Sequence, residues 1–158
     1  MMKIELKWEK SNRWEKFKLE PRCHSYFMGD YINYSNERIK YFFDEIPIQK
    51  NSDYKGYLDA LLIDDGGMGW KRSISWVEKG IEMIEKVLKN VSNEEGWGGK
   101  GFLAEIKKEG VLIYFITDDS YFDIISLKCF YKAMVSWRKF LDTEPNENTI
   151  MEIECEEE

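Results

Sequence analysis

The segment Phe102–Leu141, FLAEIKKEGVLIYFITDDSYFDIISLKCFYKAMVSWRKFL, decides the fold class. Phe102 to Lys107 and Val111 to Thr117 are β-rich runs separated by Glu109-Gly110, the signature of a hairpin. Asp118-Asp119-Ser120 supplies turn chemistry, and Tyr121 to Ile125 reads as a third strand. The period then changes from two to 3.6. Ser126 is the expected N-cap, and Leu127, Phe130, Tyr131, Met134, Trp137, Phe140 and Leu141 line one wide helical face. A meander running into a long amphipathic helix predicts an α+β domain, with a mostly antiparallel or mixed sheet and two main helices packed on one face.

Working backward, the other main helix is expected from Ser75. Ser75 and Glu78 have capping-box spacing, and Trp76, Val77, Gly80, Ile81, Ile84, Val87 and Leu88 follow at helical intervals. Lys86 and Lys89 close it where the helix dipole favours cations. Val91 to Gly101 reads as a loop. Within it, Trp97-Gly98-Gly99-Lys100-Gly101 lacks the strand-before-helix order and the Ser or Thr of a phosphate-binding loop, so it reads as a helix-to-strand connection. The near-continuous apolar run Tyr57 to Ile63 is expected to be a central strand, preceded by a polar loop from Lys50 to Gly56 and followed by a break at Asp64–Gly69.

At the start of the chain, Ile4, Leu6 and Trp8 alternate with charged residues. They predict a hairpin with Phe17 and Leu19 across a turn at Ser11-Asn12, ended by Pro21. Tyr26 to Met28 reads as a short third strand. Ser35 or Asn36 is a candidate cap for a short helix through Ile39, Phe42 and Phe43 that stops before Pro47. At the other end, Met151, Ile153 and Cys155 alternate with Glu152, Glu154 and Glu156, the pattern of an edge strand blunted by charge.

A length of 158 residues fits one domain, 1–158. The net charge of −7 is localised: residues 144–158 hold seven acidic and no basic side chains, leaving 23 of each sign in residues 1–143. An acidic end in an otherwise neutral domain argues against nucleic acid or an anionic membrane as the main partner. It reads either as a solvated tail or as an electrostatic lure for a basic protein. No run approaches the roughly 20 apolar residues that span a bilayer. The start lacks the apolar core of a signal peptide. Cys23, Cys129 and Cys155 are odd in number and contain no CxxC pair, so free thiols in a reducing cytoplasm are expected.

His24 is the sole histidine, which leaves most zinc sites and nucleophilic triads without their parts. Its neighbour Cys23 should point to the opposite strand face. The pairs Asp64-Asp65 and Asp118-Asp119 follow apolar runs. Gathered on one sheet edge, they would suit a hard cation, acid–base chemistry or a basic partner, although aspartate is also ordinary in turns. Of six tryptophans, Trp8, Trp76 and Trp137 fall on apolar faces. Trp70 and Trp97 fall in Gly-rich stretches and are either interface anchors or lids on the core.

The helix 126–141, "Ser-Leu-x-x-Phe-x-x-Ala-x-x-x-Trp-x-x-Phe-Leu" after a meander, resembles the closing helix of small bacterial immunity proteins from polymorphic toxin and contact-dependent growth inhibition systems. The resemblance spans Gly110–Leu141. It implies a cytoplasmic α+β protein that binds and blocks a cognate toxin domain, often a nuclease; together with the missing catalytic parts, the expectation is a non-enzymatic binding protein without cofactor or metal. It transfers no site residue. The residues expected to meet a basic toxin are Asp64, Asp65, Trp70, Trp97, Asp118, Asp119, Glu152, Glu154 and Glu156. The alternatives are a small carboxylate- or metal-dependent enzyme built on the two Asp pairs, and a homo-oligomeric structural or regulatory protein pairing through its C-terminal edge.

Overall fold

Alternation at the N-terminus does what its period requires. In the computed structural model, which describes residues 1–10, 18–27, 38–44 and 56–156, Ile4, Leu6 and Trp8 are buried on one face of β1 (Met2–Lys10). β1 pairs antiparallel with β2 (Leu19–Phe27) on one side and with β7 (Ile150–Cys155) on the other, giving the order β2-β1-β7. The N-terminal hairpin therefore forms, with Ser11, Asn12 and Phe17 outside the described residues.

Pro21 does not end this hairpin. It pairs with Trp8 as the third residue of β2, and the strand continues through Tyr26 and Phe27, which are not a separate third strand. Backbone direction explains the tolerance. The Ser25 N–H donates to Asp59 Oδ2 on the side away from β1. Residues at even spacing from Ser25 share that direction, so the N–H that Pro21 lacks would have faced outward from an edge strand.

The second sheet is an antiparallel meander of β3 (Glu94–Gly98), β4 (Phe102–Lys107), β5 (Gly110–Phe115) and β6 (Asp118–Ile125), in that order. The β4–β5 hairpin falls where its sequence places it. Two connections differ from expectation. β3 lies inside the stretch read as a loop, and its register with β4 sets Trp97 opposite Ala104. Asp118 and Asp119 open β6, the turn having already been made at Ile116-Thr117.

Tyr57 to Ile63 is not a central strand. Tyr57–Leu62 forms helix α1, with Tyr57, Leu58, Leu61 and Leu62 buried at helical spacing. So short a run, apolar but for Asp59, satisfies either period, and here the tertiary setting selects the helix. α2 (Trp70–Leu88) begins five residues before Ser75, directly after Gly69. Ser75 is an exposed interior residue, so the Ser75–Glu78 capping box does not form. α3 (Leu127–Phe140) matches expectation: the Ser126 hydroxyl accepts from the Cys129 N–H at 3.0 Å. The segment before these helices holds a 3₁₀ turn, Ile39–Tyr41. The candidate caps Ser35 and Asn36, as well as Pro47 and most of the polar loop, lie outside the described residues.

One apolar cluster joins both sheets to the helices, with Trp8, Ile106, Ile113, Ile84, Phe130 and Trp137 among its members. A smaller cluster of Ile39, Leu112, Phe122 and Ile124 covers the far face of the second sheet. The C-terminal acidic segment is part of this architecture. Ile153 and Cys155 are buried inward from β7 while Glu152, Glu154 and Glu156 face out. Cys129 and Cys155 are not free thiols: they form a disulfide between α3 and β7, with Cα atoms 5.7 Å apart. Cys23 is the free cysteine, and it is buried.

Candidate interaction surface

Three connections meet at one end of the second sheet: the α1–α2 loop, the β3–β4 turn and the β5–β6 turn. Asp64 organises them. Its Oδ2 accepts from the Gly101 N–H at 2.7 Å and the Phe102 N–H at 2.9 Å, fixing the α1–α2 loop to the start of β4. Gly99 is required for this approach, because a Cβ there would collide with the Asp64 carbonyl oxygen. The Gly101 carbonyl in turn accepts from the Ile116 N–H at 2.9 Å, which ties in the β5–β6 turn. Asp65 Oδ1 accepts from the Gly67 N–H at 2.9 Å and closes its own bend, with Gly66 and Gly67 at φ of +69° and +82°. Asp118 lies across from Phe115 at the opening of β6, and Asp119 follows it, exposed.

The two Asp pairs, far apart in sequence, thus arrive at the same end of the molecule. Exposed apolar side chains lie on the same connections. Ile63, Met68, Phe115 and Ile116 are 38%, 47%, 36% and 40% exposed, and Phe115 rests edge-on against Phe102. Ile63, Phe115 and Ile116 went unnoticed in the sequence because each continues an apolar run, and Met68 because it stands alone between Gly67 and Gly69.

The other nominated residues separate from this end. Trp97 is a core residue, 6% exposed, stacked on Trp76 at 4.3 Å between ring centroids, with its indole N–H donated to the Trp76 carbonyl. Trp70 is half-buried at the start of α2, edge-on to Trp8 at 5.0 Å. Both act as lids on the core rather than exposed anchors. Glu152, Glu154 and Glu156 lie on the first sheet. β6 runs from Asp118 to Ile125 and leads into α3, whose Cys129 is bonded to Cys155. A strand of that length spans roughly 25 Å, so the Asp pairs and the C-terminal end of β7 belong to different ends of the molecule. Glu154 pairs with Lys3 at 3.5 Å and Glu147 with Lys10 at 3.7 Å, exposed contacts that contribute little to stability.

Two carboxylates missed by sequence reasoning are the most perturbed. Asp123, in β6, is pushed up to about 7 by burial, opposed by the Tyr57 backbone N–H that it accepts at the start of α1. Asp59 is pushed up to about 6, again by burial, while accepting from the Ser25 N–H and lying 3.4 Å from Cys23 Sγ. α1 is therefore braced to β2 through Asp59 and to β6 through Asp123. The available signal was a lone aspartate inside each apolar run. Burial and the adjoining Asp59 push the Cys23 thiol up, which makes it a poor nucleophile. His24 points the other way, to Glu9 Oε1 at 2.7 Å. Among the described residues, no group of three or more His, Cys, Asp and Glu side chains is placed to hold a metal ion.

Asp64→Ala should lower the unfolding free energy by about 2 kcal/mol, through loss of two hydrogen bonds to a charged acceptor. Denaturant unfolding measures this, and the Gly101 and Phe102 amide resonances should report the released turn. An unchanged midpoint would contradict the bracing role.

Compared with protein-family models, curated proteins and solved structures, the chain matches none.

Proposed function

We propose that this protein is a non-enzymatic inhibitor that binds a cognate toxin protein and blocks it, and that the Asp-rich end of the second sheet is the face it uses. The supporting observation is the grouping of exposed Ile63, Met68, Phe115 and Ile116 with Asp65 and Asp119. Apolar anchors within a polar, acidic rim suit a protein partner with a basic surface. The anchors supply desolvated contact; the carboxylates speed encounter and select against acidic competitors. A basic cleft of the kind a nuclease offers its phosphates is one such surface. The resemblance of the α3 segment to bacterial immunity proteins favours the same reading, in which nucleic acid and membrane are not partners.

In this reading the encounter takes place in the cytoplasm, where cystines are usually reduced. Cys129 and Cys155 would then remain neighbours within the α3–β7 contact. Among the described residues, no helix is long and apolar enough to cross a membrane. The enzyme alternative gains no specific support, since the Asp64 and Asp65 carboxylates are engaged with backbone N–H groups.

Met68→Asp combined with Ile116→Asp tests the face. Both side chains are exposed, so stability should change by no more than about 0.5 kcal/mol per site. Loss of two interface anchors should weaken binding to the toxin encoded beside this gene by roughly 100-fold or more, measured by calorimetry on the purified pair. Binding within twofold of the unsubstituted protein would place the interface elsewhere.

A further inference from the structure

The two edges of the first sheet are finished differently. On β2, two outward backbone positions are closed: the Ser25 N–H is taken by Asp59 Oδ2, and Pro21 has no N–H to offer. Directions on β7 follow from the same register. Ser25 faces away from β1, so its partner Ile4 turns its polar groups toward Ile153. Alternation then points Met151, Ile153 and Cys155 at β1, and Ile150, Glu152 and Glu154 outward. Lys132 Nζ donates to the Glu154 carbonyl at 2.7 Å, in agreement with that direction. Among the described residues, no other group reaches the outward backbone atoms of Ile150, Glu152 and Glu154.

We infer that the β7 edge is a docking site for an extended, basic peptide segment, which adds to the sheet as a fourth strand. The outward N–H and C=O of Glu152 and the N–H of Glu154 supply the ladder. The exposed Glu152 side chain, set beside Glu5 in the ladder, pairs with a Lys or Arg of the incoming strand, and Glu154, which also meets Lys3 at 3.5 Å, offers a shared second contact. Ile150, 52% exposed, offers an apolar contact at one end. Charge decides between occupants. A second copy paired antiparallel through β7 sets glutamates against glutamates, which is unfavourable, whereas a basic strand finds opposite charges. The ladder with β1 and the buried Ile153 and Cys155 hold β7 in place as a template.

This edge lies on a different sheet from the Asp-rich end, so its test is independent of the toxin-binding proposal. The probe is an acetylated and amidated Val-Lys-Val-Lys-Val-Lys peptide. Hydrogen exchange read by NMR should show the Glu152 and Glu154 amides slowed by roughly tenfold or more at saturating peptide, with the inward amides of Met151 and Ile153 already protected in its absence. Glu152→Pro removes an outward donor, as Pro21 does on the opposite edge, together with one carboxylate, and breaks no hydrogen bond to β1. It should leave the melting temperature unchanged and abolish the added protection at Glu154. Glu152→Lys should weaken peptide binding by roughly tenfold through like charge. Unchanged exchange at Glu152 and Glu154 in the unsubstituted protein would overturn the proposal and leave the glutamates as guards against edge pairing. So would a peptide-free dimer joined through β7, or peptide binding by Glu152→Pro within twofold of the unsubstituted protein.

Discussion

Replacing Cys129 and Cys155 together by serine lowers the unfolding free energy by about 3.5 kcal/mol, the chain-entropy expectation for a loop of this length. The bond joins residues separated by 26 positions and closes a loop that holds most of α3, the connection after it and β7. Without it, the unfolded chain regains the freedom of that loop, and β7 is held by its ladder with β1 and by the burial of Ile153. Urea unfolding of the double variant against the oxidised protein measures the difference. The effect should concentrate in β7, so its amides should exchange faster than those of β4 and β5. A loss below about 0.5 kcal/mol would mean that α3 and β7 are already fixed by packing alone.

The second large effect is a dependence on pH that runs opposite to ordinary acid denaturation. The Asp123 carboxyl is raised from 3.8 to about 7 by burial in β6. Between about pH 4 and pH 7 the folded protein therefore retains a proton that the unfolded chain releases, and stability falls as pH rises through this window. The ceiling is about 4 kcal/mol, at roughly 1.4 kcal/mol per pH unit. Asp59, raised to about 6 by burial, acts in the same direction over the lower part of the range. Burial followed by the nearby Glu94 also raises Glu105. The protein should thus be more stable at pH 5 than at pH 8. Asp123→Asn keeps an acceptor for the Tyr57 N–H but cannot ionise, so most of the slope should vanish and the variant should exceed the parent in stability at pH 8. Parallel stability–pH curves for the two would contradict the assignment.

What could be read from the sequence depended on the length and periodicity of each segment. α3 was legible to its cap, because fourteen residues carry a continuous apolar face and Ser126 has the right chemistry at the right place. The β4–β5 hairpin was legible for the same reason at period two. α1 was not, because a six-residue segment that is apolar but for Asp59 fits a buried strand and a helix equally well. β3 was hidden by composition: Glu94, Glu95 and two glycines have little strand propensity of their own, and the strand exists because β4 pairs with it and α2 covers Trp97. The start of α2 was misplaced because Gly69 begins the helix without a side-chain cap, while Ser75 and Glu78 show a good cap spacing they do not use.

The candidate surface was half legible. Both Asp pairs were visible as turn chemistry, and their convergence follows once the hairpin and the α1–α2 loop are placed. The apolar residues beside them were not, since exposure at a strand end is set by tertiary contact rather than by period. Trp97 failed as an anchor because its glycine neighbours serve close packing rather than flexibility. The Cys129–Cys155 bond had no sequence signature at all, because it depends on α3 packing over the last strand.

The role proposed for this protein is to silence a toxin through the Asp-rich end of its second sheet. Co-expression with the toxin gene beside its own tests this most directly, by growth of the host. Cells carrying the toxin alone should die, cells carrying both should grow, and cells carrying the toxin with the Met68→Asp, Ile116→Asp variant should die although that variant accumulates folded. Growth with the neighbouring gene alone, or equal rescue by the variant, would contradict the account.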